Sequence, residues 1–483
     1  MTDITLAVAL PLLTAFLLPL TNDGPLRWLR SLLGPVALAL SVVVLFAHWS
    51  TFSQPYAVTL GGFAPPLGIV FYVDPLALLF AMAVPLMTLL LWPGDNDDGA
   101  TRRQSLTLLL AAALTGLALS GDLFNIYVFY ELAAVASYGL VASAGTSASH
   151  LAAFRYLMVS ALGSVVGLLG IALVYFKTGT LNLAQLATLG NELADVQALA
   201  AFAMILIGFG VKAEMFPVNG WVPEVYAAAN RRIAALLAGV ASKLALLVIV
   251  RVLVLVFPGE ETRQLLLVLG LFGVLAGELA AWQARDVTRM LAWSSIGQLG
   301  VAFIAFSLPG AAGIVAGVAV ALHHLVVKSA LFLLADRWGG AIDGLRGAAR
   351  VSPLGAALFL LFALSLLGLP PLPGFWSKFL VLGELAHAGD PLHHLAMASV
   401  LAGTVIEGAY LLRVAVTLYA GGSDTPTARP HSASGLLASA LLGITLIAAA
   451  VLIDPLWQTL SLLADHAVNV EGVVETVIGK LGS

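Results

Sequence analysis

The feature that most constrains the fold is a succession of apolar segments, each about 20 residues long, that runs through nearly the whole chain. A helix of that length just crosses the hydrocarbon core of a bilayer. Charged residues make up 10% of the 483 residues and hydrophobic residues 60%, whereas soluble domains are typically about one quarter charged. We therefore predict an all-α polytopic membrane protein with about 14 transmembrane helices.

Two of the apolar segments are interrupted by proline. The first carries Lys212 in its apolar part and Pro217 just beyond it, and the second carries Lys378 just past Pro370, Pro371 and Pro373. Proline removes a backbone hydrogen bond that lipid cannot replace, and paired interruptions are typical of two inverted repeats, here of five helices each. The predicted organisation is three N-terminal helices, a first repeat, a second repeat, and a C-terminal helix with a tail, at 1–102, 103–256, 257–419 and 420–483.

Basic residues indicate the orientation of these helices. Arginines such as Arg102 and Arg285 fall on alternate predicted loops, whereas the loops between them carry only Lys177 and Arg263. Because basic loops stay in the cytoplasm, this pattern predicts a prokaryotic cytoplasmic membrane protein with both termini outside. The first long outer loop, residues 51–74, mixes Gly and Pro with short apolar stretches, and we expect a hairpin there.

Charged side chains lie inside the predicted spans, where each costs about 3 kcal/mol or more to insert. Lys243 lies about ten residues into its span and therefore about 15 Å deep, near the bilayer centre. Glu131 reaches a similar depth, and it is the candidate partner of Lys212, since lone buried charges pair or lose their charge. The candidate proton pathway comprises Glu131, Lys212, Lys243, His323, His324, Lys328 and Lys378.

The two adjacent histidines are assigned to this pathway because they lie close to a buried lysine in the sequence. His323 and His324 precede Lys328 in one span, and we interpret them as sharing a helix face with it. Imidazole titrates near neutral pH, which favours proton relay over a role in the core. Carboxylate or thiolate ligands at metal-binding spacing are missing from the sequence around them, so we expect no metal site.

Three further carboxylates are possible site residues. Glu214 lies two positions from Lys212 and could line an entrance to it. Glu278 and Glu407 lie in later spans and could partner Lys378 or contact a neighbouring subunit. Carboxylates are otherwise few inside the spans and hydroxyl side chains do not cluster along the sequence, so we expect protons rather than Na⁺ to cross this chain.

Several function classes are excluded by what the sequence lacks. There is no cysteine, and therefore no disulfide, no thiolate-held iron–sulfur cluster and no covalent haem in this chain. No Walker-type phosphate loop is present, and the net charge of −4 offers nothing to a nucleic acid. We expect no cofactor here, and any redox chemistry would belong to partner subunits.

The motifs together resemble the antiporter-like family of proton-translocating membrane subunits. That family includes the large subunits of Mrp-type sodium/proton antiporters, the antiporter-like subunits of respiratory complex I, and relatives in membrane-bound hydrogenases. The resemblance runs from about Gly121 to Lys378, and its order is specific. The matching motifs are GDLFNIYVFYE, GVKAEMFPVNGWVPE, the ASK around Lys243, ARDVTRMLAWSSIGQLG, HHLVVKSALFL and LPPLPGFWSKF.

The resemblance implies roles for individual residues. Glu131 would pair with Lys212, and Lys243, His324 and Lys378 would continue a polar axis across the membrane. Among the branches, the chain is most similar to the D-type subunit of Mrp antiporters, because it stops after about fourteen spans without a lateral helix or an extra C-terminal domain.

Three functions remain open at this point. The first is a proton-conducting subunit of a multi-subunit Na⁺/H⁺ antiporter, an assembly with other hydrophobic subunits in the lipid bilayer. The second is the ion-pumping arm of a redox complex that reduces quinone or handles hydrogen. The third, a stand-alone solute permease, is disfavoured because the buried lysines have no matching solute ligands. We expect a transporter subunit rather than an enzyme in its own right.

Overall fold

A computed structural model describes residues 3–21, 29–94, 99–338, 340–421 and 432–479. Apart from one β-hairpin, the regular structure of these residues is helical. The helices are α1 (Leu6–Leu17), α2 (Arg30–Ser50), α3 (Pro75–Leu90), α4 (Ala100–Leu119), α5 (Leu123–Ala142), α6 (Ser147–Thr178), α7 (Leu183–Thr188), α8 (Val196–Lys212), α9 (Val222–Ala228), α10 (Arg231–Leu236), α11 (Ser242–Leu255), α12 (Glu260–Gln283), α13 (Val287–Ser307), α14 (Gly310–Ala335), α15 (Ala348–Val351), α16 (Pro353–Leu367), α17 (Pro373–Ala388), α18 (Pro391–Tyr419), α19 (Ala433–Val451), α20 (Ile453–Val468) and α21 (Val470–Ile478).

The helices confirm the predicted class of membrane protein. Within the described ranges, nine helices are long and apolar enough to cross a membrane, and four shorter apolar helices accompany them. The longest, α6, has 32 residues, which at about 1.5 Å per residue exceeds the thickness of the hydrocarbon core. The count of about fourteen spans stays a prediction. Some apolar segments form one long helix, whereas others are divided into shorter helices, so helix length alone does not give the number of spans.

Both predicted helix breaks are present. Helix α8 ends at Lys212, and the next helix along the chain begins only at Val222. Helix α16 ends at Leu367, after which Gly368 adopts a left-handed conformation with φ of 79°, and α17 begins at Pro373. A left-handed glycine commonly ends a helix and proline commonly starts one, so the second break is encoded at both of its edges.

Packing divides the described residues into two compact units. Unit 1 draws on Met1–Ala213, Val240–Thr262 and Leu462–Ser483, and unit 2 draws on Glu214–Gly239 and Arg263–Ser461. These units are defined by contacts, whereas the four predicted segments are defined by order along the chain. The assignment of two inverted repeats therefore stays a prediction.

Unit 1 contains the predicted hairpin, in which β1 (Tyr56–Thr59) pairs antiparallel with β2 (Val70–Val73). Asp74 follows β2 and caps α3 by accepting a hydrogen bond of 2.7 Å from the Ala77 amide. The same Oδ1 atom lies 2.5 Å from Arg251 Nη2 on α11, and both residues are buried. Removing one partner of a buried ion pair costs about 3–5 kcal/mol, so this contact fixes the hairpin to α11.

Helices α6 and α8 of unit 1 approach closely through glycine. A Cβ atom added to Gly167 would lie 3.1 Å from the Cα of Gly208, and one added to Gly163 would lie 2.6 Å from a methyl group of Val211. Small residues allow such an approach because the backbones themselves make the contact. The result is that polar residues on α6 face the end of α8, where Lys212 lies.

Unit 2 places α13 and α14 in its interior, where nearly all their side chains are buried. The start of α17 packs against the end of α16 at Gly374, where an added Cβ atom would lie 1.7 Å from the Ser365 carbonyl oxygen. Only glycine permits that approach, and it sets the position of Lys378 one turn further along α17.

A π-helical segment, Leu237–Ala241, joins α10 to α11 and ends directly before Ser242 and Lys243. Such segments are rare and occur frequently at functional sites. The apolar pattern of this stretch gives no hint of it, because one extra residue in a helical turn leaves hydropathy unchanged.

Candidate functional site

Lys212 in unit 1 is surrounded by aromatic rings and one hydroxyl group. It is 4% exposed, and its Nζ donates to Ser160 Oγ over 3.2 Å. The same Nζ lies 3.9 Å from the centre of the Tyr130 ring, and the rings of Tyr138 and Tyr156 follow at 5.8 and 6.0 Å. A desolvated cation over an aromatic face gains about 2 kcal/mol, so weak interactions hold the ammonium group in place.

Glu131 is connected to Lys212 through α6 rather than directly. Its Oε1 accepts a hydrogen bond of 2.7 Å from Ser164 Oγ, which also lies 3.1 Å from the Tyr127 hydroxyl. Ser164 and Ser160 are four residues apart and therefore one turn apart on the same face of α6. Among the described residues, no Glu131 oxygen lies within 4.0 Å of Lys212 Nζ, so the two residues do not form a direct ion pair, and each contacts its own serine of α6 instead.

Lys243 is fully buried at the start of α11, with its Nζ 3.1 Å from Ser242 Oγ. Asp122, just outside the membrane span of α5, caps that helix, and burial raises the pKa of its carboxyl group.

Glu214 in unit 2 carries local backbone strain. It has φ of 56°, which makes it the one non-glycine residue with positive φ in the described part of the chain. Its side chain is fully buried and accepts a 2.7 Å hydrogen bond from the Tyr226 hydroxyl. Such strain costs about 1–3 kcal/mol and tends to occur at functional sites, which supports the inclusion of Glu214 among the possible site residues.

Lys378 in unit 2 forms the direct ion pair that Lys212 lacks. Its Nζ lies 2.8 Å from Glu407 Oε2 and donates to Thr404 Oγ1 over 3.1 Å. The Gln298 amide donates to both oxygens of Glu407 at 2.9 Å, so two side chains hold the carboxylate through three contacts. The expectation that Glu407 partners Lys378 is confirmed. Glu278 instead accepts a hydrogen bond of 2.8 Å from Tyr410.

Lys328 lies at one end of a second polar group of unit 2. Its Nζ donates to Ser294 Oγ over 2.6 Å and lies 3.4 Å from the Leu291 carbonyl oxygen. Ser294 Oγ lies 2.7 Å from the Tyr410 hydroxyl, which reaches Glu278 on its other side. A lysine and a carboxylate are thereby linked by two hydroxyl groups.

The two histidines of α14 contact different helices. His324 Nε2 lies 3.5 Å from Ser295 Oγ on α13, the helix that also contacts Lys328 one turn further on. His323 Nε2 lies 2.8 Å from Ser365 Oγ on α16. The prediction that both share a face with Lys328 is correct for His324 and wrong for His323, because consecutive residues of a helix point about 100° apart.

Hydroxyl side chains are scattered along the sequence, as expected from the sequence alone, but helix packing brings them to the charged groups. One serine, threonine or tyrosine contacts nearly every candidate. A pair of serines at a spacing of four within an apolar span is the one signal that could have found them. In the described ranges, no three His, Asp or Glu side chains are placed to hold a metal ion. The hydroxyls concerned belong to Ser160, Ser164, Ser294, Ser295, Ser365, Thr404 and Tyr410.

Comparison with known proteins identifies the family to which the chain belongs. The sequence profile described as "NADH:quinone oxidoreductase/Mrp antiporter, TM" matches residues 120–405, more than half of the chain and both broken helices. The chain belongs to this family. The resemblance drawn from the motifs is thereby confirmed, as is the all-α membrane fold.

The named relatives include subunits of NADH-quinone oxidoreductases and subunits of Na⁺/H⁺ antiporters. The chain is 33% identical over 448 residues to the N-type subunit of the NADH-quinone oxidoreductase of Desulforudis audaxviator, with 88% of each chain covered. It is 32% identical over 333 residues to the D-type subunit of the Na⁺/H⁺ antiporter of Alkalihalophilus pseudofirmus, with 66% of this chain and 68% of that protein covered. Sequence identity therefore does not separate the two kinds of relative.

The solved structures that match likewise include a respiratory membrane complex and an Mrp complex. A chain of an archaeal membrane-bound sulfane sulfur reductase, a respiratory membrane complex, matches with a TM-score of 0.90 and 29% identity, over 98% of this chain and 99% of that one. A chain of the Mrp complex from Dietzia sp. matches with a TM-score of 0.89 and 25% identity, over 99% and 100%. Both are subunits of multi-subunit membrane complexes, so this family member is similar to proteins that work in large assemblies.

Proposed function

We propose that the chain is a proton-translocating subunit of a multi-subunit Na⁺/H⁺ antiporter in a prokaryotic cytoplasmic membrane. Protons would pass along Glu131, Lys212, Lys243, His324 and Lys378, and other hydrophobic subunits would complete the assembly. The distribution of arginines supports termini that lie outside the cytoplasm. H⁺ is the ion we assign to this chain, and Na⁺ crosses the assembly in exchange.

The observation that carries the proposal is the setting of Lys212. A buried ammonium group held by one serine and one ring face lies at a helix break, and the next serine, one turn away along α6, contacts the Glu131 carboxylate. At an effective dielectric constant near 20, two charges about 4 Å apart interact by about 4 kcal/mol, and the interaction weakens with distance. A small change in the Glu131–Lys212 distance therefore changes how tightly Lys212 holds its proton.

A second candidate function is supported by specific similarities. The relative with 33% identity is a subunit of an NADH-quinone oxidoreductase, and the sulfane sulfur reductase chain has a TM-score of 0.90. In that alternative the same buried groups would be the pumping arm of a redox-driven complex. The chain has no cysteine, so thiolate-held electron carriers would lie in partner subunits.

Proton flux in everted membrane vesicles that contain the whole complex tests the proposal. Addition of NaCl to vesicles with an imposed pH gradient should dissipate the gradient, as followed with a pH-sensitive dye. Lys212→Ala should abolish this response, whereas Lys177→Ala is a matched control, since Lys177 contacts Asp195 over 2.5 Å at the protein surface and its hydrogen bond holds the pKa of Asp195 below its usual value.

Purification of the complex in mild detergent separates the two candidates. Small hydrophobic partner subunits without flavin or metal, together with Na⁺-dependent flux, support the antiporter. Co-purification of subunits with flavin, iron–sulfur or nickel centres, with flux that needs electron transfer, overturns it in favour of the redox complex. Wild-type flux in the Lys212→Ala vesicles contradicts both.

A further inference from the structure

An unbroken chain of hydrogen bonds in unit 2 joins a lysine to a carboxylate across four helices. Lys328 on α14, Ser294 on α13, Tyr410 on α18 and Glu278 on α12 follow one another at 2.6, 2.7 and 2.8 Å. Ser294 and Tyr410 are fully buried, as is Lys328, and Glu278 is 2% exposed. We call these four residues the Ser294–Tyr410 chain.

When Lys328 carries its proton and Glu278 is ionised, the hydrogen atoms of the Ser294–Tyr410 chain can be assigned from chemistry. An ammonium group only donates and a carboxylate only accepts, whereas each hydroxyl has one hydrogen to give. Lys328 therefore donates to Ser294, Ser294 donates to Tyr410, and Tyr410 donates to Glu278. All three hydrogen bonds run in the same sense, from the cation to the anion, which is the arrangement that a proton relay requires.

The carboxylate group of Glu278 lies against a glycine of the neighbouring helix α13. A Cβ atom added to Gly297 on α13 would lie 2.2 Å from Glu278 Oε1, so a larger residue at that position would displace the carboxylate from where it lies. A side chain that merely filled space between α12 and α13 would not need a charged end at this depth, where an ion is expensive.

We propose that the hydroxyl groups of Ser294 and Tyr410 carry a proton between Lys328 and Glu278, which makes Glu278 a second proton acceptor of unit 2 beside the Lys378–Glu407 pair. This inference rests on the proposed function, since it adds a branch to that proton pathway.

The step balances without any co-reactant. The Lys328 ammonium gives a proton to Ser294 Oγ as Ser294 gives its own to Tyr410 and Tyr410 gives its own to Glu278. Two buried charges become a neutral amine and a neutral carboxylic acid, and every hydrogen bond of the chain reverses its sense. Return of the proton, or rotation of the hydroxyls after Glu278 loses it elsewhere, resets the chain.

Flux in vesicles with the whole complex tests the branch, with wild type measured first. Tyr410→Phe and Glu278→Gln each keep the side-chain shape and remove one participant, and a lost relay group typically costs about a hundredfold. Ser294→Ala should lower flux similarly, and Ser294→Thr should restore it. Ser307→Ala is the matched control on α13, because Ser307 Oγ donates to the Ile304 carbonyl oxygen of its own helix.

A fluorinated tyrosine at position 410 distinguishes a relay from a structural contact. Fluorination makes the phenol more acidic while it keeps the hydroxyl, so flux should exceed that of Tyr410→Phe and its pH profile should move to lower pH. The charged groups that face Tyr410 are Glu278 from α12, Lys328 from α14 and Glu407 on its own helix, and none of them is altered.

The outcomes are separable. Absence of flux in wild-type vesicles overturns the proposed function itself. Wild-type flux that survives Tyr410→Phe unchanged overturns the relay alone. If Tyr410→Phe also reduces the amount of assembled complex, the fluorinated protein decides, and a pH profile identical to wild type would assign Tyr410 a structural role.

Discussion

The two broken helices place their lysines in opposite kinds of environment. Lys212 at the end of α8 contacts one serine and the face of Tyr130, and its carboxylate lies beyond a second serine. Lys378 on α17 forms a 2.8 Å ion pair with Glu407, which Gln298 holds from the other side. The same sequence feature, a lysine beside a proline-containing helix break, therefore occurs in two different electrostatic environments.

The difference shows which of the two lysines can change its charge more readily. A direct buried ion pair resists separation, because removal of one charge leaves the other without compensation. A lysine that depends on a ring face and one neutral hydroxyl loses less when its proton leaves. We infer that the Lys212 site responds to small movements of Glu131, whereas the Lys378–Glu407 pair acts as a fixed end that needs a larger change to open.

The largest effect should come from replacement of Lys212. Lys212→Ala removes the proton carrier, and Lys212→Arg keeps the positive charge in a group that does not deprotonate in proteins. Both variants should reduce Na⁺-dependent flux to the level of vesicles that lack the subunit, while the complex assembles normally. Wild-type flux in the arginine variant would show that charge alone is needed at this position and would remove the contrast between the sites.

Disruption of the Lys378–Glu407 pair should cost stability as well as transport. Glu407→Ala leaves a buried ammonium without its partner, so the subunit should lose about 3–5 kcal/mol, measured as a lower melting temperature of the purified complex. Glu131→Ala should cost only about 1 kcal/mol, because it removes one hydrogen bond from Ser164.

A double variant is the control for that comparison. Lys378→Met with Glu407→Met replaces both charges by apolar groups of similar volume, and such replacements of buried ion pairs are often neutral. Stability should return to near the wild-type value while transport stays lost. If Glu131→Ala destabilised the complex as much as Glu407→Ala, the two carboxylates would have equivalent structural roles.

Replacement of the two serines of α6 should have a moderate effect. Ser160→Ala removes the hydrogen bond to Lys212 and Ser164→Ala the one to Glu131, each worth about 1 kcal/mol, which corresponds to a roughly fivefold loss of flux. Ser137→Ala is the matched control, because Ser137 on α5 is buried and donates to the Ala133 carbonyl oxygen of its own helix. A double-mutant cycle that gives strictly additive losses would argue against coupling between Glu131 and Lys212.

Sequence reasoning could reach the ionisable groups but not their hydroxyl partners. Lys212, Lys243 and Lys378 stand out because a charge inside an apolar segment is expensive wherever the segment packs. Ser160 and Ser294 do not stand out, because a hydroxyl is tolerated on any face of a membrane helix and acquires a role only from the helix opposite. The direct Lys378–Glu407 contact was reachable as one of two options, since only packing decides between Glu407 and Glu278.

Backbone details were less predictable than side-chain chemistry. Both helix breaks follow from proline and glycine, whose conformational limits are local. The π-helical segment before Lys243 and the left-handed backbone of Glu214 follow instead from tertiary packing, since neither sequence carries a local signal for them. Family membership was predictable because the order of the motifs along the chain, rather than any one contact, carries it.

The smallest effect should come from the hydroxyl of Tyr130, and it tests whether the ring face or the hydroxyl matters to Lys212. Tyr130→Phe removes a hydrogen bond of 2.6 Å to the Gly208 carbonyl oxygen, worth about 1 kcal/mol of stability, and leaves the ring under the ammonium group. Flux should stay near the wild-type rate. Tyr130→Leu removes the ring as well, and the loss of about 2 kcal/mol of cation–π interaction should release Lys212 from its position and lower flux clearly. Equal flux in the two variants would mean that the hydroxyl of Ser160 alone holds Lys212, and the contrast with the ion pair of Lys378 would then rest on a single hydrogen bond.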